Sequence, residues 1–233
     1  MNPTNGVISE AWGVYKAHWQ HLLTFSFIVY VAVAVVGALL GAVLDYWLAG
    51  LIMAVVSLVA FFWLQAALVK AVDDLRDGRA DFSLSETFGQ AQKHLAAVVV
   101  AAILAGLGIA LGLILLIVPG LVLLTWWCVI IPAIVLENKS AGESFSRSRE
   151  LVRGFGWNVF GVIVLVVLLL IGFNILLSII LTPLADWLQS FLSQFISGTL
   201  TAPFTATVLT LVYFRLRAAK ETPAAEPPPP TPA

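Results

Sequence analysis

Residues 95–136 read LAAVVVAAIL AGLGIALGLI LLIVPGLVLL TWWCVIIPAI VL, without one charged side chain. About 20 apolar residues in a helix cross the ~30 Å hydrocarbon layer of a bilayer, so this run is long enough to cross twice. Pro119-Gly120 is the turn signal within it. The reading is a pair of spans, 95–118 and a shorter 121–136, folded back on each other.

The same pattern repeats on either side. Apolar runs at 22–44 and 48–69 are separated only by Asp45-Tyr46-Trp47, and a third pair occupies 159–181 and 191–214. Hydrophobic residues make up 61% of the 233-residue chain and charged residues 11%, and the mean hydropathy is +1.00. Soluble domains carry roughly 25% charged residues, so this chain is read as using lipid as solvent. The fold class is therefore all-α: a polytopic membrane protein with six transmembrane helices in three hairpins. The first apolar run follows about twenty residues that include Glu10 and Lys16 and exceeds a signal-peptide core, so it is expected to stay as the first anchor.

Orientation follows from the cations. The twelve Lys and Arg fall in the N-terminal segment, the 70–94 and 137–157 loops and the C-terminal tail, while the other three turns carry only Asp45 and Asp186. That asymmetry predicts cytoplasmic N- and C-termini; a seven-span arrangement would scatter the charges on both sides. Trp19, Trp47, Trp157 and Trp187 suit interfacial belts, whereas Trp126 and Trp127 are expected to pack against neighbouring helices. Residues 1–217 form the six-span domain. Residues 218–233, with Pro227–Pro230, are expected to be a disordered Pro-rich cytoplasmic tail.

The segments preceding spans one, three and five resemble each other. Each has a glutamate followed two positions later by an aromatic residue: Glu10 and Trp12, Glu86 and Phe88, Glu143 and Phe145. Ser83 and Ser140 stand three residues before Glu86 and Glu143, the capping-box spacing, so helices should begin near both serines. The pattern predicts a cytoplasmic amphipathic helix before spans 1, 3 and 5, lying at the inner membrane face. Arg147, Arg149 and Arg153 cluster in the last of them and are candidate contacts for anionic lipid.

Residues for chemistry are sparse. His18, His21 and His94 lie outside or at the edge of spans, there is no H-E-x-x-H and no glycine-rich phosphate loop, and the single Cys128 reads as a packing residue. No catalytic residue, cofactor or metal is assigned, and the net charge of −1 gives no footprint for nucleic acid. Gln65, Asn174, Gln194 and the threonines 199, 201, 205, 207 and 210 are read as interhelical hydrogen-bonding groups. Gly37-x-x-x-Gly41 and Gly108-x-x-x-Gly112 offer close-approach faces, used for packing inside the bundle. Pro132 and Pro203 should interrupt spans four and six.

One region is more specific: Val118-Pro119-Gly120-Leu121, then Pro132-Ala133-Ile134-Val135-Leu136-Glu137, then Glu143 to Gly154 and Trp157. It resembles the glycerophosphoryl diester phosphodiesterase membrane-domain family and related uncharacterised bacterial inner-membrane proteins. Glu143, Ser148, Leu151, Arg153, Gly154 and Trp157 match the family's entry helix, while Ser144 stands in place of its usual alanine and Arg149 of its usual aromatic. The resemblance implies a six-span module in a bacterial plasma membrane, without the catalytic barrel that accompanies it in the phosphodiesterases. The expected function is a non-catalytic accessory or scaffold module linked to lipid or envelope processes. Its partners would be membrane lipids and another membrane or lipid-metabolism protein. Alternatives are a transporter or facilitator of a neutral or lipidic solute, and an intramembrane enzyme. The candidate inner-face motif is Glu137, Glu143, Ser148, Arg153 and Gly154, with Glu137 paired to an arginine of the following helix.

Overall fold

The computed structural model describes residues 3–76 and 83–221, and these are built from helices. In chain order they are α1 (Val7–Ala17), α2 (Trp19–Val43), α3 (Tyr46–Arg76), α4 (Leu84–Leu115), α5 (Ile117–Trp126), α6 (Ile130–Glu137), α7 (Ala141–Val152), α8 (Gly156–Leu181) and α9 (Asp186–Glu221). Six segments are long and apolar enough to cross a membrane: α2, α3, α4, α5 together with α6, α8, and most of α9. They pair as α2/α3, α4/α5 and α8/α9, the three hairpins of the sequence reading.

The hairpin boundaries shift by a few residues where backbone chemistry overrides hydropathy. The α4/α5 turn lies at Leu116, in extended conformation, rather than at Pro119-Gly120. Pro119 instead occupies the first turn of α5, where its missing N–H costs no hydrogen bond. Span four is broken at Trp127–Val129, between α5 and α6. Pro132 is the third residue of α6, so its ring and absent N–H remove the bond that a continuous helix would make to the Cys128 carbonyl. Pro203, in contrast, lies inside an unbroken α9. That helix also runs past the expected domain limit at residue 217, because Ala218-Ala219-Lys220-Glu221 are strong helix formers. The tail from Thr222, including Pro227–Pro230, and Arg79 lie outside the described residues.

The three preceding helices are not equivalent. α1 and α7 are separate elements, but the middle one is simply the first turns of α4, continuous with span three. Ala91-Gln92-Lys93-His94-Leu95-Ala96 contains nothing that ends a helix. His18 (φ −124°) and Gly154 (φ +92°), in contrast, break the chain before α2 and α8. α1 begins at Val7, capped by Gly6 with φ +73°, so Ser9 and Glu10 sit inside it. It does not stand alone as a surface anchor. It lies along α9, from Arg215, which bonds Glu10 and the Asn5 carbonyl, to Leu200, whose carbonyl accepts from the Tyr15 hydroxyl at 3.2 Å. Those contacts follow about 22 Å of helix.

The buried core sits at the basic end of the bundle. One cluster joins Leu22, Phe25, Leu64, Leu68, Ala91 and Ile134; a second joins Val7, Ala11, Ala133, Leu151, Leu211 and Leu216. α6 is apolar all round and contributes to both, as a short central pillar. Toward the charge-poor end the hairpins expose their side chains: Val43 is 81% exposed, Trp47 84% and Ile114 80%. Only 11% of the α8 span window is buried inside the protein, against 50% of α9's. Apolar surface on this scale calls for lipid rather than water around it.

Candidate functional site at the basic end of the bundle

α6 ends at Glu137 because Asn138 takes the left-handed conformation (φ +54°) that terminates helices. The chain then restarts at once: Ser140 caps α7, its N–H and hydroxyl donating to Glu143 Oε2 at 2.9 and 2.6 Å while its oxygen accepts from the Glu143 N–H. The same reciprocal box, Ser83 with Glu86, opens α4. Hydrogen bonds from the Ser140 side chain and then its backbone hold the Glu143 carboxyl below its ordinary pKa. A lowered carboxylate contributes stability above its unfolded-state pKa, and that contribution is lost as pH falls through the lowered folded value. Ser140→Ala should cost about 1 kcal/mol. It should also return the Glu143 pKa toward normal, to be read by thermal unfolding and by carboxyl titration in NMR.

The tight Glu137–Asn138–Ser140 corner sends α7 back across the end of α6, and two turns along it Arg147 meets Glu137. Arg147 Nε lies 2.9 Å from both Glu137 oxygens. One terminal nitrogen donates to Glu150 at 3.3 Å and the other to Glu221. The Tyr213 hydroxyl donates to Glu137 Oε1 at 2.7 Å, and Arg217 Nε to Glu221 Oε2 at 2.8 Å. The side chains of Arg147 and Glu137 are only 15% and 11% exposed. These groups form a clasp tying α6, α7 and α9. Burial pulls the Arg147 pKa down, but hydrogen bonds to Glu221 and Glu137 and the Glu137 charge outweigh it, so the guanidinium is held protonated more firmly than usual. The expected pairing of Glu137 with an arginine of the next helix is present.

Ser148, fully buried, donates to the Trp126 carbonyl at 2.7 Å. The break in span four frees that carbonyl, since Ile130 N–H turns to Trp127 instead. Ser148→Ala would leave it without this partner in a dry setting, at about 1–3 kcal/mol in a thermal unfolding measurement. Gly154 supplies the positive φ between α7 and α8.

The three arginines proposed for lipid divide. Arg147 is turned into the clasp, where three carboxylates engage its largely buried guanidinium. Arg149 stacks over the Trp126 ring at 4.3 Å, and Arg153 is exposed with no ion pair among the described residues. The aromatics Trp12, Phe88 and Phe145 rest on Phe204, on Phe25 and Trp63, and on Trp127. Tyr213, Arg217 and Glu221 were missed by the sequence reading, although their i, i+4 spacing places them on one face of α9.

Within the spans, the hydroxyls of Thr201, Thr205, Thr207 and Thr210 donate to carbonyls one turn back in α9. Asn174 bridges to Ser197 at 2.8 Å, joining α8 to α9. Gln65 is buried, Asn174 lies in a shallow depression along α8, and Gln194 lines a different groove between α2, α3 and α9. Ser26 and Thr199 have buried hydroxyls without a hydrogen-bond partner among the described residues. Among the described residues no three His, Cys, Asp or Glu side chains gather as metal ligands would. No protein-family model, curated protein or solved structure matches the chain.

Proposed function

We propose that the chain is a non-catalytic membrane module of the bacterial plasma membrane, with both termini cytoplasmic, that serves as an accessory or scaffold in a lipid- or envelope-linked process. The observation that carries this reading is where the polar chemistry goes. The strongest charged cluster, Glu137–Arg147–Glu221, is spent on joining three helices, and most span threonines bond their own helices. The resemblance of residues 118–160 to the phosphodiesterase membrane domain supplies the lipid and envelope link. A transporter would place Gln65, Asn174 or Gln194 on a polar cavity; Asn174 and Gln194 line two separate grooves whose other walls are mainly apolar.

The test is native mass spectrometry of the protein extracted with its surrounding membrane. Stoichiometric retention of a specific lipid or of a lipid-metabolism protein is expected. Bulk lipid alone, together with solute flux in proteoliposomes, would replace this reading with the transporter.

A further inference from the structure

A groove of about 700 Å³ runs between α5 and the start of α8, lined by Val118, Leu121 and Val122 on one side and Phe155, Trp157 and Phe160 on the other. The volume falls in the range of roughly 300–1,000 Å³ typical of ligand clefts. From Val118 to Trp126 it follows about 12 Å of helix axis, close to the ~15 Å depth of one leaflet's hydrocarbon. The lining is apolar apart from Asn158 and Thr125, and the Thr125 hydroxyl is already donated to Leu121 O at 2.8 Å.

Among the described residues, the cations beside this groove gather around Trp126, Gly154 and Phe155. Arg149 lies over Trp126, which lines the groove; Lys220 Nζ sits 5.8 Å from the ring centroid of Phe155, which also lines it; and Arg153 precedes the lining residue Gly154. Arg149, Arg153 and Lys220 are all exposed. The neighbouring carboxylates are engaged elsewhere, Glu150 by Arg147 and Glu221 by Arg147 and Arg217. The mouth therefore carries net positive charge where an apolar channel reaches the basic end. Trp157, 86% exposed, stands beside it, as tryptophans do at headgroup level.

We propose that this groove binds one anionic glycerophospholipid, an acyl chain lying along α5 and the phosphate met by Arg149, Arg153 and Lys220. The occupant follows from charge complementarity: an apolar slot with a cationic rim at one end matches an amphiphile with an anionic head. The proposal rests on the membrane reading above, but not on the accessory role.

The test uses the full chain in nanodiscs containing either phosphatidylglycerol or phosphatidylcholine, with bound lipid counted by native mass spectrometry after delipidation and titration. One phosphatidylglycerol should be retained in preference to phosphatidylcholine. At about fivefold per basic residue, the triple variant Arg149→Gln/Arg153→Gln/Lys220→Gln should weaken retention on the order of 100-fold. Val122→Trp, which fills the slot, should abolish retention with the rim intact. Lys16→Gln/Lys93→Gln, removing as much charge from elsewhere per residue, should leave it unchanged. Equal retention of the two lipids, or the same loss in the Lys16/Lys93 control, would overturn the site and leave only non-specific surface lipid. Because the charge variants alter exposed side chains, their folding is not in question. Solute transport by a protein that still binds one phosphatidylglycerol would overturn the accessory role and leave this site standing.

Discussion

Replacing Arg147 with alanine is expected to destabilise the protein by about 3–5 kcal/mol, the cost of leaving a buried charge without its partner. Glu137 is the group left behind. Its side chain is 11% exposed, and among the described residues the Tyr213 hydroxyl, at 2.7 Å, is the one hydrogen-bond donor that would remain on it. A single arginine closes three ion pairs here, so its removal also detaches Glu221 from α7 and frees the end of α9. In detergent, thermal unfolding should move down by about 10 °C or more, on the scaling that 1 kcal/mol shifts a domain of this size by a few degrees. Arg147→Lys should recover part of the loss, since an ammonium keeps the charge but cannot reach three carboxylates with a planar fork. Glu137→Leu/Arg147→Leu should be less damaging than Arg147→Ala, because the penalty lies in the orphaned carboxylate rather than in the absence of attraction. If Arg147→Ala unfolds at the wild-type temperature, the clasp does not hold the helices together.

The clasp also shows which parts of the chain were open to reading in advance. Glu137 and Arg147 are ten residues apart on either side of a capped helix start, so their meeting follows from local geometry once Ser140 and Glu143 are recognised as a box. Tyr213 and Glu221 are brought in by the packing of α9 against α7, and no local pattern reports which neighbour a helix will choose. The same limit explains Arg147 itself. A cluster of basic residues beside a membrane reads as lipid-facing until the wheel is set, and the wheel is set by Ser148, Leu151 and Val152 turning inward. The three of the cluster then part ways, one inward and two out. The number and order of the spans were legible because long uncharged runs have no competing interpretation. Their ends were not, because the turn at Leu116 and the break at Trp127–Val129 are placed by what Pro119 and Pro132 tolerate several residues away. The position of the core at one end also escaped the hydropathy pattern, which assigns every span a similar apolar character and cannot separate lipid-facing from protein-facing leucine.

At Gly120 and Gly112 a side chain would run into the backbone of the facing helix. A Cβ built on Gly120 would lie 2.6 Å from the Leu113 backbone nitrogen and 2.5 Å from Leu113 Cγ, and one on Gly112 would lie 2.9 Å from the Gly120 Cα. A side chain can rotate away from such a contact, but a backbone nitrogen cannot, so α4 and α5 would have to move apart. Gly108 belongs to the same face, its missing Cβ leaving room for the Trp127 ring at 2.7 Å. Gly108-x-x-x-Gly112 is thus used for packing inside a hairpin. In α2, Gly37 touches Met53 while Gly41 meets nothing within 4 Å. Gly120→Val should therefore cost about 1–3 kcal/mol from overpacking, with Gly120→Ala in the same direction despite the ~1 kcal/mol that alanine gains over glycine in a helix. Gly161→Ala and Gly172→Ala on α8, where a Cβ meets nothing within 4 Å, isolate that propensity gain and should stabilise by up to ~1 kcal/mol. Thermal unfolding of the four variants separates packing from propensity. Opposite signs at α5 and α8 would mean that the α4/α5 hairpin is held by direct backbone contact. Equal signs would mean that the two helices can slide apart in lipid at little cost, and that the clasp at the other end of span four alone fixes their position.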